Sequence, residues 1–469
     1  MQRLIRLSLT LTLLLSAFAW GGGAASAEGD DLTAGAVYTL TNAPDHNEVV
    51  AYSRAADGTL SPMDKFDTGG IGTGLYENSD TMLVVGSSEG QSSPINLGGG
   101  SDLLFAANAG SDNISVFAIQ TDGSLELVET EASGGERPIS LTVKNGVLYV
   151  LNSAGDDLPG AGFCYGAAPE ITGFWVAESG ELSPIPDSTR KLLGAVGSGC
   201  AQVTFNPAGD VLVVSEIGAD IIDTFTVGSN GVANGPIRNE TSGLGPFALA
   251  FDSKGRLVTT ENFGAAEEKG AVASYSLGDD GNLSPVGDSV PVGETDTCWI
   301  LVSPDGKYAY TTSFGPLPFL DVDDESSRRG SISSFHVGDD GSLELIDAAA
   351  GDVGVGAVDI TFGGGGRYIY ALNTLEGKIK GWSIESGGAL TPITSVGGVP
   401  TSMPGPQSGG IAAYDGDHDS SGGETPEGMP STGGGGLSPA PAGFPTGALA
   451  ALALTLLAAG QYTIGRRRS

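Results

Sequence analysis

The sequence predicts an all-β fold, a seven-bladed β-propeller closed by pairing its C-terminal inner strand with the first blade. Three observations predict it. One short phrase returns seven times. Short apolar and alternating runs fill the spaces between its copies. A spare strand stands at the end of the series, where the first unit lacks one.

The phrase is a strand, a tight turn and a second strand. It reads "SRAADGTLSP" at 53–62, "AIQTDGSLELVE" at 118–129, "VAESGELSP" at 176–184, "TVGSNGVANG" at 226–235, "SLGDDGNLSPVG" at 276–287, "HVGDDGSLELID" at 336–347 and "SIESGGALTP" at 383–392. The copies centre on Leu60, Leu125, Leu182, Val232, Leu283, Leu343 and Leu390, and their spacing of 47–65 residues holds four short strands. A fixed supersecondary unit repeated in series means a repeat architecture. Gly in each turn accepts positive φ, so the hairpin reverses with the right twist.

Within a unit an apolar run comes first, as in "LLFAAN" (103–108), "VLYVLN" (147–152), "KYAYTTS" (307–313) and "RYIYALN" (367–373). Continuous apolar runs this short suit strands buried on both faces. An alternating strand follows, then the turn and an outer strand. A fourth, inner segment precedes the next run, as in "CAQVTFNPAG" (200–209), "FALAFDSKG" (247–255) and "CWILVSPDG" (298–306). The first unit starts at "AVYTLTN" (36–42) without an inner strand, and "GGIAAYD" (409–415) is left over at the end. Pairing the two would close the ring and remove an open edge.

The ends read differently. Residues 1–27 carry Arg3 and Arg6, an apolar run from Leu7 to Trp20, and Ala25-Ser26-Ala27. That order is a secretory signal peptide, with cleavage expected after Ala27. The propeller is expected over 34–415. Residues 416–446 form a Gly/Ser/Pro-rich linker, and 447–469 an apolar membrane segment with the basic tail Arg466–Arg468. "MPSTG" at 429–433 is similar to the LPxTG signal of sortase substrates, with Met429 in place of Leu. The similarity implies a sortase as partner and cleavage between Thr432 and Gly433. The protein is therefore expected outside the cell, at its surface, held by wall or membrane through this tail. A retained membrane tail is the alternative to wall attachment.

Charge excludes one class of partner. The chain has 56 acidic and 21 basic residues. Without the signal and the last arginines, 16 basic residues remain, a net charge of about −40. Such a surface repels phosphate backbones, so nucleic acid is not an expected partner. A small-molecule or cationic ligand fits better, on a propeller expected to be monomeric.

The order "P-x-x-x-x-F-x-P-x-G", "YV-x-N", "I-x-x-F-x-V", "DG-x-L" resembles the lactonase family of seven-bladed propellers, which includes 6-phosphogluconolactonase and carboxy-muconate lactonizing enzyme. The resemblance covers about residues 34–415. Active members carry an Arg-His pair where an inner strand begins, and a Glu at the end of the next strand. The matching pairs here are Ile139-Ser140, Ala201-Gln202, Phe247-Ala248, Cys298-Trp299 and Val358-Asp359. None is Arg-His, and the chain's three histidines, His46, His336 and His418, lie elsewhere. The Glu survives twice, as Glu216 in "VVSEIG" and Glu261 in "VTTENFG".

Lactone opening needs a base for water and donors for the oxyanion. Glu216 and Glu261 are the catalytic candidates the resemblance implies; capping the backbone of a loop is their structural alternative. Gln202, Trp299 and Asp359 are expected at the channel mouth. The expectation is an exported, surface-held binding propeller or a divergent, non-catalytic one. The alternative is a lactone hydrolase, 6-phosphogluconolactonase-like, acting on an extracellular lactone. No cofactor is required. "LDVDDESSRRG" (320–330) offers Asp321, Asp323 and Asp324 as oxygen ligands for calcium, but it lacks a complete EF-hand pattern, which favours a solvated acidic loop. Export permits disulfides. Cys164, in a loop of the third blade, and Cys200, opening the fourth, should be neighbours on one face and pair. Cys298 is left as a buried thiol.

Overall fold

A computed structural model of the chain describes residues 34–75, 77, 79–87, 102–154, 169–194, 199–316, 329–401 and 409–416. The signal peptide, Cys164, Asp321, Asp323, Asp324, His418, the linker beyond 416, Thr432, Gly433 and the apolar tail lie outside the described residues. Among the described residues no helix is long and apolar enough to cross a membrane.

The chain forms seven antiparallel sheets. Blade two shows the plan: Leu83–Ser87 innermost, then Asp102–Asn108, Asn113–Ile119 and Leu125–Ala132 at the rim. The inner strands of blades three to seven are Pro138–Lys144, Cys200–Phe205, Pro246–Phe251, Thr297–Val302 and Ala357–Gly363. Blade one takes its inner strand from the far end of the chain, where Gly409–Tyr414 pairs antiparallel with Ala36–Leu40. Each inner strand packs against the next, and Gly409–Tyr414 against both Ala357–Gly363 and Leu83–Ser87, so the ring is closed. Arg54 and Asp415 seal this join through a 2.7 Å ion pair. Asp415 also accepts the Gly364 and Gly365 N–H groups of blade seven, each at 2.6 Å.

One element departs from the sequence pattern. The outer strands of blades three and five are each broken in two, as Leu182–Pro184 with Arg190–Lys191 and as Leu283–Pro285 with Val290–Pro291. Pro186 has no N–H to give the ladder, and Asp187 (φ 56°) and Gly287 (φ 79°) turn the backbone out of it.

The core is not central. Apolar side chains cluster between blades: Tyr38, Phe105 and Phe117 in one group, Tyr149, Phe205 and Phe225 in another, Tyr310, Phe362 and Trp382 in a third. The repeated turn is the fastening for these seams. All seven turn glycines, Gly58, Gly123, Gly180, Gly231, Gly281, Gly341 and Gly388, have φ of 72–92°. At five of them the carbonyl accepts a hydroxyl from the preceding blade: Tyr370 to Gly58, Tyr38 to Gly123, Tyr149 to Gly231, Thr224 to Gly281 and Ser274 to Gly341, at 2.5–2.7 Å. The phrase recurs because each hairpin tip must reverse sharply and dock without a side chain in the way.

Candidate functional site

The inner strands all begin at one end of the ring, and the second strands all finish there. Six blades end the second strand on a polar residue: Asn108, Asn152, Glu216, Glu261, Ser313 and Asn373. At five of these positions the side chain grips the connection that leads into its own blade. Asn108 accepts the Thr68 hydroxyl at 2.7 Å, and Asn152 and Asn373 donate to the Ser133 and Val353 carbonyls at 3.3 and 2.8 Å. Glu216 accepts the Gly194 N–H at 2.9 Å and Glu261 the Gly243 N–H at 2.7 Å. Both glutamates are 0% exposed. The two carboxylates thus stand where amides stand in other blades, and they tie down the same loop.

Their surroundings differ. The Glu216 carboxylate acts on Asp223, whose own Oδ2 accepts the Leu193 N–H at 2.7 Å. Burial, and then the Glu216 charge, push the Asp223 carboxyl up to about 7. Glu261 is raised by burial, which outweighs its bond from Gly243. The partner of Glu216 is therefore Asp223 in its own blade.

Gln202, Trp299 and Asp359 sit where each inner strand begins, and all three are at most 1% exposed. An innermost strand has no neighbour on its channel side, so some of its N–H groups need partners from elsewhere. The preceding blade supplies them. Ser140 accepts the Val203 N–H at 3.0 Å, Gln202 the Leu249 N–H, and Asp359 the Ile411 N–H at 2.6 Å. These side chains form a girdle from blade to blade. Trp299 packs edge-on against Phe247, with ring centroids 5.7 Å apart.

The sequence reading missed the segment before blade two. Asp80 donates its N–H to the Ala201 carbonyl of blade four at 3.0 Å, and the Thr81 carbonyl accepts the Leu141 N–H of blade three at 2.9 Å. The segment so reaches past its nearest neighbour. Asp80 also acts on Asp359 of blade seven: burial first, then the Asp80 charge, hold the Asp359 carboxyl well above its ordinary range. Nearby, the Cys298 thiol, free and buried, donates to Asp296 at 3.2 Å. Burial pushes Asp296 up to about 7. Glu77 and Arg137 form a buried fork-to-fork pair, with Nε–Oε2 at 2.9 Å and Nη2–Oε1 at 3.1 Å. No repeat runs through "YENSD" (76–80), and Arg137 precedes the Ile139-Ser140 position by two residues, so the pattern flagged neither.

Cys200 is disulfide-bonded, and its expected partner Cys164 lies outside the described residues. Among the described residues no group of three or more His, Cys, Asp or Glu side chains is arranged to hold a metal ion.

The fold defines the class: an all-β, closed seven-bladed propeller, 6-phosphogluconolactonase-like in its fold. Within that class the chain is similar to the 6-phosphogluconolactonase of Formosa agariphila, at 24% identity over 224 residues, 43% of this chain and 58% of that protein. The match thus spans less than two thirds of that relative. Among solved structures it is similar to the periplasmic gluconolactonase PpgL of Pseudomonas aeruginosa (TM-score 0.57, 15% identity, 81% of this chain and all of that one). It is also similar to a Bacteroides uniformis protein provisionally described as a 6-phosphogluconolactonase (TM-score 0.57, 18% identity, 81% and 99%). At these identities the structures establish the fold alone. No family model matches the chain.

Proposed function

We propose that the protein is an exported, surface-attached propeller of lactonase-like fold that binds a ligand instead of hydrolysing one. One observation carries this reading. Glu216 and Glu261 are 0% exposed, and each spends a carboxylate oxygen on a loop N–H. A general base must reach the water it activates. Attachment rests on "MPSTG" ahead of the apolar segment and Arg466–Arg468. Mass spectrometry of wall digests should find the chain ending at Thr432; residues 433–469 intact on the mature protein would refute wall attachment.

Lactone hydrolysis is the second reading. The likeness to the Formosa agariphila enzyme favours it, and so does Asp359, whose carboxyl is held well above its ordinary range by burial and then by the Asp80 charge. A lactone screen of purified residues 28–432, with and without calcium, separates the two. Binding predicts no turnover above background. A kcat/KM of about 10⁴ M⁻¹s⁻¹ or more, in the ordinary enzyme range, would establish hydrolysis.

A further inference from the structure

Blades six and seven carry the same motif, "KYAY" and "RYIY", facing the next hairpin tip. At the seam between blades seven and one, the Tyr368 hydroxyl donates to the Ala56 carbonyl at 2.8 Å and Tyr370 to Gly58 at 2.7 Å. At the seam between blades six and seven the tip docks alike. Gly58 and Gly388 have φ of 85° and 82°, and a Cβ on either would lie 2.7 Å from the ring of Tyr368 or Tyr308 respectively. Yet the Tyr310 hydroxyl, equivalent to that of Tyr370, is buried and finds no hydrogen-bond partner among the described residues.

It is not isolated. The ladder sets Tyr310 opposite Ser334 and Thr312 opposite Ile332 without a register shift, so all four share one face. The Phe362 ring of blade seven stands 6.2 Å from that of Tyr310, which turns this face toward blade seven. Thr312 and Ser334 are also 0% exposed, and their hydroxyls likewise have no partner among the described residues. Buried hydroxyls are almost always satisfied in native proteins, by protein or by a bound molecule. Where a seam needs no such partner it is apolar: Gly180 of blade three meets Leu103, Val116 and Val128.

We propose that the seam between blades six and seven is an internal site for a small neutral hydroxylated molecule, water or a short polyol, held by the hydroxyls of Tyr310, Thr312 and Ser334. Hydroxyls both donate and accept, which suits such a guest and not an ion. The test is a high-resolution crystal structure, with and without erythritol, together with melting of Tyr310→Phe, Thr312→Val and Ser334→Ala. The expected result is density within hydrogen-bond reach of these hydroxyls and a lower Tm for each variant, because each strands the guest. Density without erythritol identifies water. Density only with erythritol, and a saturable rise in Tm that Ser334→Ala abolishes, identifies a polyol. A seam without density in either crystal, with Tm unchanged or raised in the variants, overturns the proposal.

Discussion

The Tyr149 hydroxyl of blade three holds blade four by both of its functions. It donates to the Gly231 carbonyl at 2.7 Å and accepts the Ala233 N–H at 2.8 Å. The Tyr38 hydroxyl makes the corresponding bond to Gly123 at 2.7 Å. Tyr149→Phe leaves two buried backbone groups without partners and Tyr38→Phe one. The expected losses are about 2–3 kcal/mol for Tyr149→Phe and about 1 kcal/mol for Tyr38→Phe, read from urea midpoints at constant m.

The strand-end glutamates should behave as loop fastenings. A Cβ on Gly243 would lie 2.2 Å from Glu261 Oε2. Glu261→Ala removes the acceptor of the half-buried Gly243 N–H and is expected to cost about 1 kcal/mol; Glu261→Gln keeps the acceptor and should cost less. Equal melting temperatures for wild type and Glu261→Ala would refute this role.

The closing ion pair is nearly buried, with the Arg54 side chain 1% and that of Asp415 18% exposed. Asp415→Ala leaves a buried guanidinium without its carboxylate, at an expected cost of about 3–5 kcal/mol. Deleting 409–415 removes the inner strand of blade one as well, and should lower the denaturant midpoint further than Asp415→Ala does.

Buried carboxyls set the pH dependence. Asp223 and Asp296 are each raised to about 7, and Asp359, Glu261 and Glu294 are raised too, with burial the largest cause in every case. A folded-state pKa above the unfolded one means that the fold takes up protons. The stability this contributes is complete below about pH 4 and is lost as pH rises through 7. The expected outcome is a higher Tm at pH 5 than at pH 8, with a smaller difference in Asp223→Asn. A Tm that rises steadily from pH 5 to pH 8 would contradict it.

Local signals made the fold legible. Turn glycines, short apolar runs and the spare "GGIAAYD" strand are properties of a few adjacent residues, and the turn phrase returned seven times. Sequence order alone also placed Glu216 and Glu261 at equivalent strand ends. Tertiary structure decided what those positions do. Glu216 meets Gly194 and Asp223, Gln202 meets Leu249, and Asp359 meets Ile411 and Asp80. Several of these partners come from other blades, brought together only by ring closure. No spacing along the chain encodes them, because the distance from Asp80 to Asp359 is set by the circumference of the ring and not by the residues between.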